Sequence, residues 1–314
     1  MEKYCFGIDV GGTTVKCALF SEDGSIVDKW EIKTRTENQG EMILPDVAKT
    51  VLEKAEEKKL DKAQIVGIGI GLPGPIEENG EIACAVNLHW GRKNIEKELG
   101  DLTGFSVKAG NDANVAALGE MWKGGGKGAK NLILVTLGTG VGGGIIINEK
   151  IVTGAHGAGG EIGHAAVNPQ ETMPCNCGNK GCLEQYASAT GIASLAKKAM
   201  ENSEKESSLR ESGSKVTAKD VFDAYKAGDS LAGQVVEEFS RYLGQALGIF
   251  CCVADPDVIV LGGGVSKAGQ VLIDSVEKEY RKYAFPACKD TPIRLATLGN
   301  DAGIYGAAKL ILDR

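Results

Sequence analysis

The chain has 314 residues, of which 43% are hydrophobic and 25% charged, the balance of a folded protein with a sizeable core and enough length for two domains. That excludes a wholly disordered chain, and a net charge of −7 speaks against non-specific binding to nucleic acid. Glycine is in excess, at 44 residues with no collagen-like period, so the surplus belongs in turns and ligand loops.

The chain begins with a predicted strand over Tyr4 to Val10, the glycine corner Gly11-Gly12-Thr13-Thr14 and a second strand over Val15 to Phe20. Asp23-Gly24 turns it into Ile26 to Ile32, completing a β-meander. Val47, Val51, Leu52 and Ala55 then share one face of a helix, with Glu53, Lys54, Glu56, Glu57 and Lys58 opposite. Ile65 to Ile70 reads as a buried strand ended by Gly71-Leu72-Pro73-Gly74-Pro75. A strand near Ser106 to Ala109 runs into Asn111-Asp112 and a helix to about Trp122.

The pattern then returns. Asn131 to Asn148 carries no charge over 18 residues, yet it is no membrane helix: each of its central glycines would cost a helix about 1 kcal/mol against Ala. Leu132 to Leu137, a glycine corner over 138–144 and Ile145 to Ile147 form a second hairpin, about 130 residues after the first, which suggests a duplicated core. Asp229 is placed to cap a long helix to about Ala254, Ser266 a helix after Gly262-Gly263-Gly264, and Asn300 or Asp301 a short final helix. The N-terminus has neither a basic n-region nor a long apolar h-region, so a cytoplasmic location is expected. Nine cysteines there should be thiols or metal ligands.

Asp9-Val10-Gly11-Gly12-Thr13-Thr14-Val15-Lys16 joins a strand-end carboxylate to two glycines, two hydroxyls and a lysine. Backbone N–H groups at glycines can approach phosphate oxygens, and the carboxylate can hold Mg²⁺ or its waters. The order matches neither a P-loop nor a dinucleotide fingerprint, and by itself the corner is equally a plain hairpin turn. With Thr139, Gly140 and Gly142 in the second loop and Gly263 and Gly264 in the third, three loops suffice to surround one nucleotide.

Cys175, Cys177 and Cys182 place three thiols within eight residues, and His164 lies eleven residues upstream. Three thiolates and an imidazole make a closed, structural Zn²⁺ site. Cys5, Cys17, Cys84, Cys251, Cys252 and Cys288 lie in apolar stretches and are expected to pack in the core. Asp112, where a strand meets a helix, is either a cap or a general base that takes a hydroxyl proton as a phosphoryl group arrives. Glu161 and Glu184 bracket the thiol loop, and carboxylates converging with an Asn suit a polyol. Asn87, between apolar flanks, is a candidate substrate contact, whereas His89 and His156 read as surface or satisfied residues.

These motifs, in this order, resemble the ROK family (repressors, open reading frames and sugar kinases) over nearly the whole chain, and within it the glucokinases of Bacillus-like bacteria. Asp9-Val10-Gly11-Gly12-Thr13, Asn111-Asp112-Ala113-Asn114, Leu137 to Gly144, Glu161-Ile162-Gly163-His164 and the Cys175/Cys177/Cys182 run carry the resemblance, with Ala116 to Gly124 and Leu298 to Gly303 beyond them. It implies an α/β, actin-like (ribonuclease H-like), hexokinase-type fold of two domains with a cleft between them. Residues 1–112, completed by a C-terminal helix over 300–314, would form the small domain, and residues 113–299 the large one with the zinc loop. It further implies ATP-dependent phosphorylation of glucose at its 6-hydroxyl with Mg²⁺, and a dimer or tetramer. By position, Asp112 matches the catalytic base. Asn111, Glu161, His164 and Glu184 match sugar ligands, joined by Gly74 and Asn87. Gly11, Gly12, Thr13, Thr139 and Gly140 match phosphate contacts, Gly263 and Gly264 the nucleoside side, and Lys16 the phosphate-loop motif. Kinases for fructose, mannose, allose or N-acetylhexosamines share most of these motifs, and polyphosphate is an alternative donor. A repressor of the family should carry a helix-turn-helix ahead of the sugar domain; with the phosphate loop beginning at Asp9, catalysis is the expectation.

Overall fold

The computed structural model describes residues 2–313. Contacts divide them into two units, one of residues up to Gly128 with Gly144–Gly160 and the chain from Leu298, the other of Ala129–Gly143 and Glu161–Thr297.

The first unit opens with the expected meander, β1 (Tyr4–Val10), β2 (Thr14–Ser21) and β3 (Ile26–Lys33). It continues through α1 (Ile43–Glu57), β4 (Ile65–Leu72), the short pair β5 (Glu81–Ile82) and β6 (Lys93–Asn94), α2 (Ile95–Thr103), β7 (Val107–Asn111) and α3 (Asp112–Lys123). The main sheet has the order β3-β2-β1-β4-β7, with β1, β4 and β7 parallel. Side chains alternate across it. Phe6, Ile8, Cys17, Leu19, Ile68 and Ile70 pack toward α1 and α2, while Cys5, Ala18 and Phe20 face Ile304, Ala308 and Ile311 of the C-terminal helix (Ala302–Leu312). Full burial of a residue such as Ile304 contributes about 1.5–3 kcal/mol. Gly69 is what lets that helix come so close: a Cβ there would lie 1.7 Å from the Ala307 carbonyl oxygen.

The sequence-based boundary at 112/113 falls at the start of α3, but the contacts keep α3 with the first unit. Its Gly119 packs on the backbone of Ala302, and the buried Glu120 carboxylate accepts the N–H groups of Gly125 (2.8 Å) and Leu298 (2.9 Å).

The second unit begins with β8 (Leu132–Leu137) and β9 (Val141–Ile147), and the chain passes back into the first unit along β9, which pairs there with β10 (Lys150–Ile151). It resumes with α4 (Glu184–Ala187), α5 (Ala189–Glu201), α6 (Leu209–Ser212), α7 (Ala218–Lys226), α8 (Ser230–Ala254), β11 (Val258–Gly262), α9 (Gln270–Tyr283) and β12 (Ile293–Leu295). β8, β11 and β12 are parallel, and β9 is the neighbour of β8 on the other side. Asp229 caps α8 as expected, its Oδ1 accepting from Leu231 and Ala232. Two other expected caps are not formed. Ser266 lies inside a 3₁₀ turn over 264–268 and bonds back to the Gly263 carbonyl, leaving Gly269 at the start of α9. Asp301 pairs with Lys29 at 2.7 Å and does not cap the final helix. Cys5, Cys17, Cys251 and Cys288 are buried, but Cys84 and Cys252 are exposed, so two of the six predicted core thiols face solvent. Among the described residues no helix is long and apolar enough to cross a membrane.

Candidate functional site

In the first unit, the corner between β1 and β2 presents Gly11, Gly12 and Thr13 to solvent, with Thr14 opening β2. It is held from behind by Thr34, whose hydroxyl donates to the Gly11 carbonyl (2.7 Å) and whose N–H donates to that of Thr13 (2.9 Å). Thr34 escaped the sequence reading because a lone Thr after a strand has no pattern. A Cβ on Gly12 would meet nothing within 4 Å, so its bare backbone is open to a ligand.

Asp9 is the last residue but one of β1, with Gly303 of the C-terminal helix against its carboxylate. Burial pushes the Asp9 carboxyl up to about 6; Lys16 pulls it down, while Asp112 and Asp301 push it further up. Lys16 is occupied by the protein itself, its Nζ donating to the Asn300 carbonyl at 2.8 Å. Asp301 is paired with Lys29, and the Asp9 carboxylate is the kind of oxygen donor that a divalent cation takes.

At the β7–α3 junction the capping task falls to Asn111. Its Oδ1 accepts from Ala113 (3.0 Å) and Asn114 (3.1 Å), and its Nδ2 donates to the Gly74 carbonyl at 3.1 Å. The helix is thus capped without Asp112, whose half-buried carboxylate stands at the positive end of α3 and accepts the Ala113 N–H at 2.8 Å. Gly74 and Asn111 are brought together; Asn87 is at the exposed tip of a 3₁₀ turn over 86–88, between the buried anchors Ala85 and Leu88. His89 and His156 are exposed, as expected of surface residues.

In the second unit, the thiol loop folds as a narrow ribbon, bridged at Ala166/Cys182 and Pro174/Lys180, with left-handed backbone at Gly178 and Gly181. One ligand atom from each of His164, Cys175, Cys177 and Cys182 lies within 4.8 Å of the others. Zn–S bonds of about 2.3 Å place tetrahedral sulfurs about 3.8 Å apart. The Cys177–Cys182 sulfur separation is 3.7 Å, and Cys175 Sγ is 3.8 Å from His164 Nδ1. The set fits zinc, and Nδ1 as its ligand leaves His164 Nε2 on the side of Glu161, 3.9 Å from Oε2.

Glu184 opens α4 two residues after Cys182. Its Oε2 accepts the Val141 N–H at 3.0 Å, and its Oε1 is 3.8 Å from Cys175 Sγ. The second glycine corner is shorter than expected, because β9 begins at Val141 and Gly142 belongs to the strand. Gly263 packs on the backbone of Leu137, which brings the third loop to the base of this corner. Beside Gly264 opens a 320 Å³ cavity lined by Thr217, Phe222, Lys226, Val265 and Ala268. The α7 side of that cavity was not anticipated. Its one legible signal was Thr217 three residues before Asp220, a reciprocal cap that starts the helix.

Comparison with known proteins supplies the context for this geometry. The family model described as "ROK family" matches residues 5–314. A glucokinase of Halalkalibacterium halodurans is 46% identical, over 99% of this chain and 95% of its own. The crystal structure of a ROK hexokinase from Thermus thermophilus superposes with a TM-score of 0.81 at 30% identity, covering 98% of this chain and 97% of that one. That of a ROK family glucokinase from Streptomyces griseus, in complex with glucose and AMPPNP, gives 0.75 at 30% identity, covering 98% of each.

Proposed function

The chain belongs to the ROK family, with its actin-like α/β fold, and from that premise we propose that it transfers the γ-phosphoryl group of ATP to the 6-hydroxyl of glucose. The observation that carries this reading is the division of labour at the β7–α3 junction: the Asn111 side chain caps the helix through Ala113 and Asn114, and Asp112 follows it at the first helical position, where its carboxylate accepts the Ala113 N–H.

Asp112 orients the attacking hydroxyl and takes its proton as the phosphorus–oxygen bond forms, while ADP leaves. The residues assigned to the glucose hydroxyls are Asn111, Gly74 and Asn87 in the first unit, and Glu161, His164 through Nε2 and Glu184 through Oε1 in the second. The corner at Gly12 and Thr13, closed by the Gly11 N–H donating to the Thr14 carbonyl, and the N–H groups of Thr139 and Gly140 stabilise the charge spreading over the phosphates. Gly263, Gly264 and the cavity against α7 receive the nucleoside. Asp9 would hold Mg²⁺ or its waters, and a cation held there would supply the charge that neutralises the donor phosphates. Zinc would be held by His164, Cys175, Cys177 and Cys182, where it cross-links the loop and leaves no position open for substrate. ADP release measured over glucose, fructose, mannose, allose and N-acetylhexosamines, with ATP or polyphosphate as donor, tests the assignment. It fails if glucose with ATP is not the best pair.

We place this activity in the cytoplasm and in an oligomer. Ile249, Val253, Tyr283 and Phe285 expose an apolar surface where the end of α8 meets α9, and it suits a second copy of the chain. Val253→Glu is expected to lower the mass seen by light scattering; an unsubstituted protein that is already monomeric contradicts the assignment.

Asp9 gives a separate prediction. Its raised carboxyl stabilises the fold only while protonated, so that contribution is complete below the unfolded value near 3.8 and is lost as pH rises through about 6. A shift of that size corresponds to about 3 kcal/mol. Asp9→Asn, without ligands, should therefore unfold at a higher temperature than the parent at pH 8. The gap should shrink toward pH 4, and turnover should fall sharply. An equal or lower melting temperature at pH 8 would show that the charge is not strained.

A further inference from the structure

The segment that begins at Glu184 is bonded to the second glycine corner at every turn. The Ala189 N–H donates to the Gly138 carbonyl (2.8 Å), the Thr190 hydroxyl to that of Thr139 (2.9 Å), and the Val141 N–H to Glu184 Oε2 (3.0 Å). Gly138 closes the corner by donating to the Gly140 carbonyl at 2.9 Å. The corner's carbonyls and its last amide are therefore spent on holding its shape. The N–H groups of Thr139 and Gly140 and the Thr139 hydroxyl stand outside this network. Glycine at 140 has a reason independent of phosphate: a Cβ there would lie 2.2 Å from Glu184 Oε2.

We propose that Glu184 is a positioning residue for the donor phosphates, fixing the corner through the Val141 amide so that the Thr139 and Gly140 donors converge. This rests on the ATP-dependent reading above and adds to the sugar contact given there to the other carboxylate oxygen. Glu184 Oε1 lies 3.8 Å from Cys175 Sγ and Cys182 is two residues away in sequence, so this carboxylate stands between the thiol cluster and the corner. A hydrogen bond to a charged acceptor is among the stronger ones, and its loss should relax the corner even when no sugar is present.

The test is calorimetric titration of the zinc-loaded protein with Mg²⁺-AMPPNP in the absence of sugar. Glu184→Ala should weaken binding about tenfold, and Glu184→Gln, which keeps a carbonyl oxygen for the Val141 N–H, should recover most of it. Glu161→Ala, a change on the sugar side alone, should leave it at the parental value. Gly140→Ala presses on the same carboxylate without touching the thiol loop and should weaken binding as Glu184→Ala does, which keeps the test available should Glu184→Ala fold poorly or lose metal. Parental nucleotide affinity in Glu184→Ala with its metal content intact, or in Gly140→Ala, overturns the proposal. Failure of the unsubstituted protein to bind the analogue would instead overturn the ATP-dependent reading on which it stands.

Discussion

Asp112→Asn should leave the KM for glucose within a few-fold of the parent and cut kcat by about 10²–10⁴, the usual worth of a positioned general base. The isosteric amide can still hydrogen-bond a hydroxyl, but it cannot take the proton. Asn111 continues to cap α3 through Ala113 and Asn114, so the variant should fold and melt like the parent. This separates the role from a structural one: a capping residue would lose about 1 kcal/mol of stability and little rate. Steady-state kinetics with thermal unfolding decide it. Near-parental turnover would remove Asp112 from the chemistry.

Loss of the metal should act on a different constant. Cys177→Ser, or prolonged chelation, takes away one corner of a cluster whose other members lie beside the proposed sugar contacts Glu161 and Glu184. The expected result is a KM for glucose raised tenfold or more and a melting temperature lowered by several degrees, because a structural metal site contributes its binding energy to the fold. Metal content by atomic emission, measured on the kinetic samples, links the two. A chain free of zinc with an unchanged KM would show that the thiols hold the loop without a metal.

Much of the framework could be read from residue order. Runs such as Ile65 to Ile70 and Leu132 to Leu137 combine β-branching with glycine at the ends, and each became a buried strand. The thiol spacing brought four ligands together because sulfur and imidazole in a tight glycine loop have few other places to go. What stayed hidden depends on contacts between residues distant in sequence. That Asn111, and not Asp112, caps α3 turns on Asn111 standing just outside the helix in extended backbone and Asp112 just inside it, a one-residue boundary that neither residue type discloses. Ser266 had the right identity for a cap, but the backbone at Gly263 offered its hydroxyl a nearer partner. Asp301 was drawn away from its helix by Lys29, a partner 272 positions off in sequence. The bond from Glu184 to Val141 spans 43 positions and leaves its only local trace in Gly140, which reads as a phosphate glycine until the carboxylate beside it is seen.

The packing of residues 302–312 on the first sheet sets a timetable for biosynthesis. While the ribosome is still making the middle of the chain, the side of the β-meander that carries Cys5, Ala18 and Phe20 has nothing to cover it. Its greasy surface is sealed only when the last helix emerges, so the earliest strands to be translated are among the last to be finished, and a nascent chain stalled before residue 302 should be the species most in need of a chaperone.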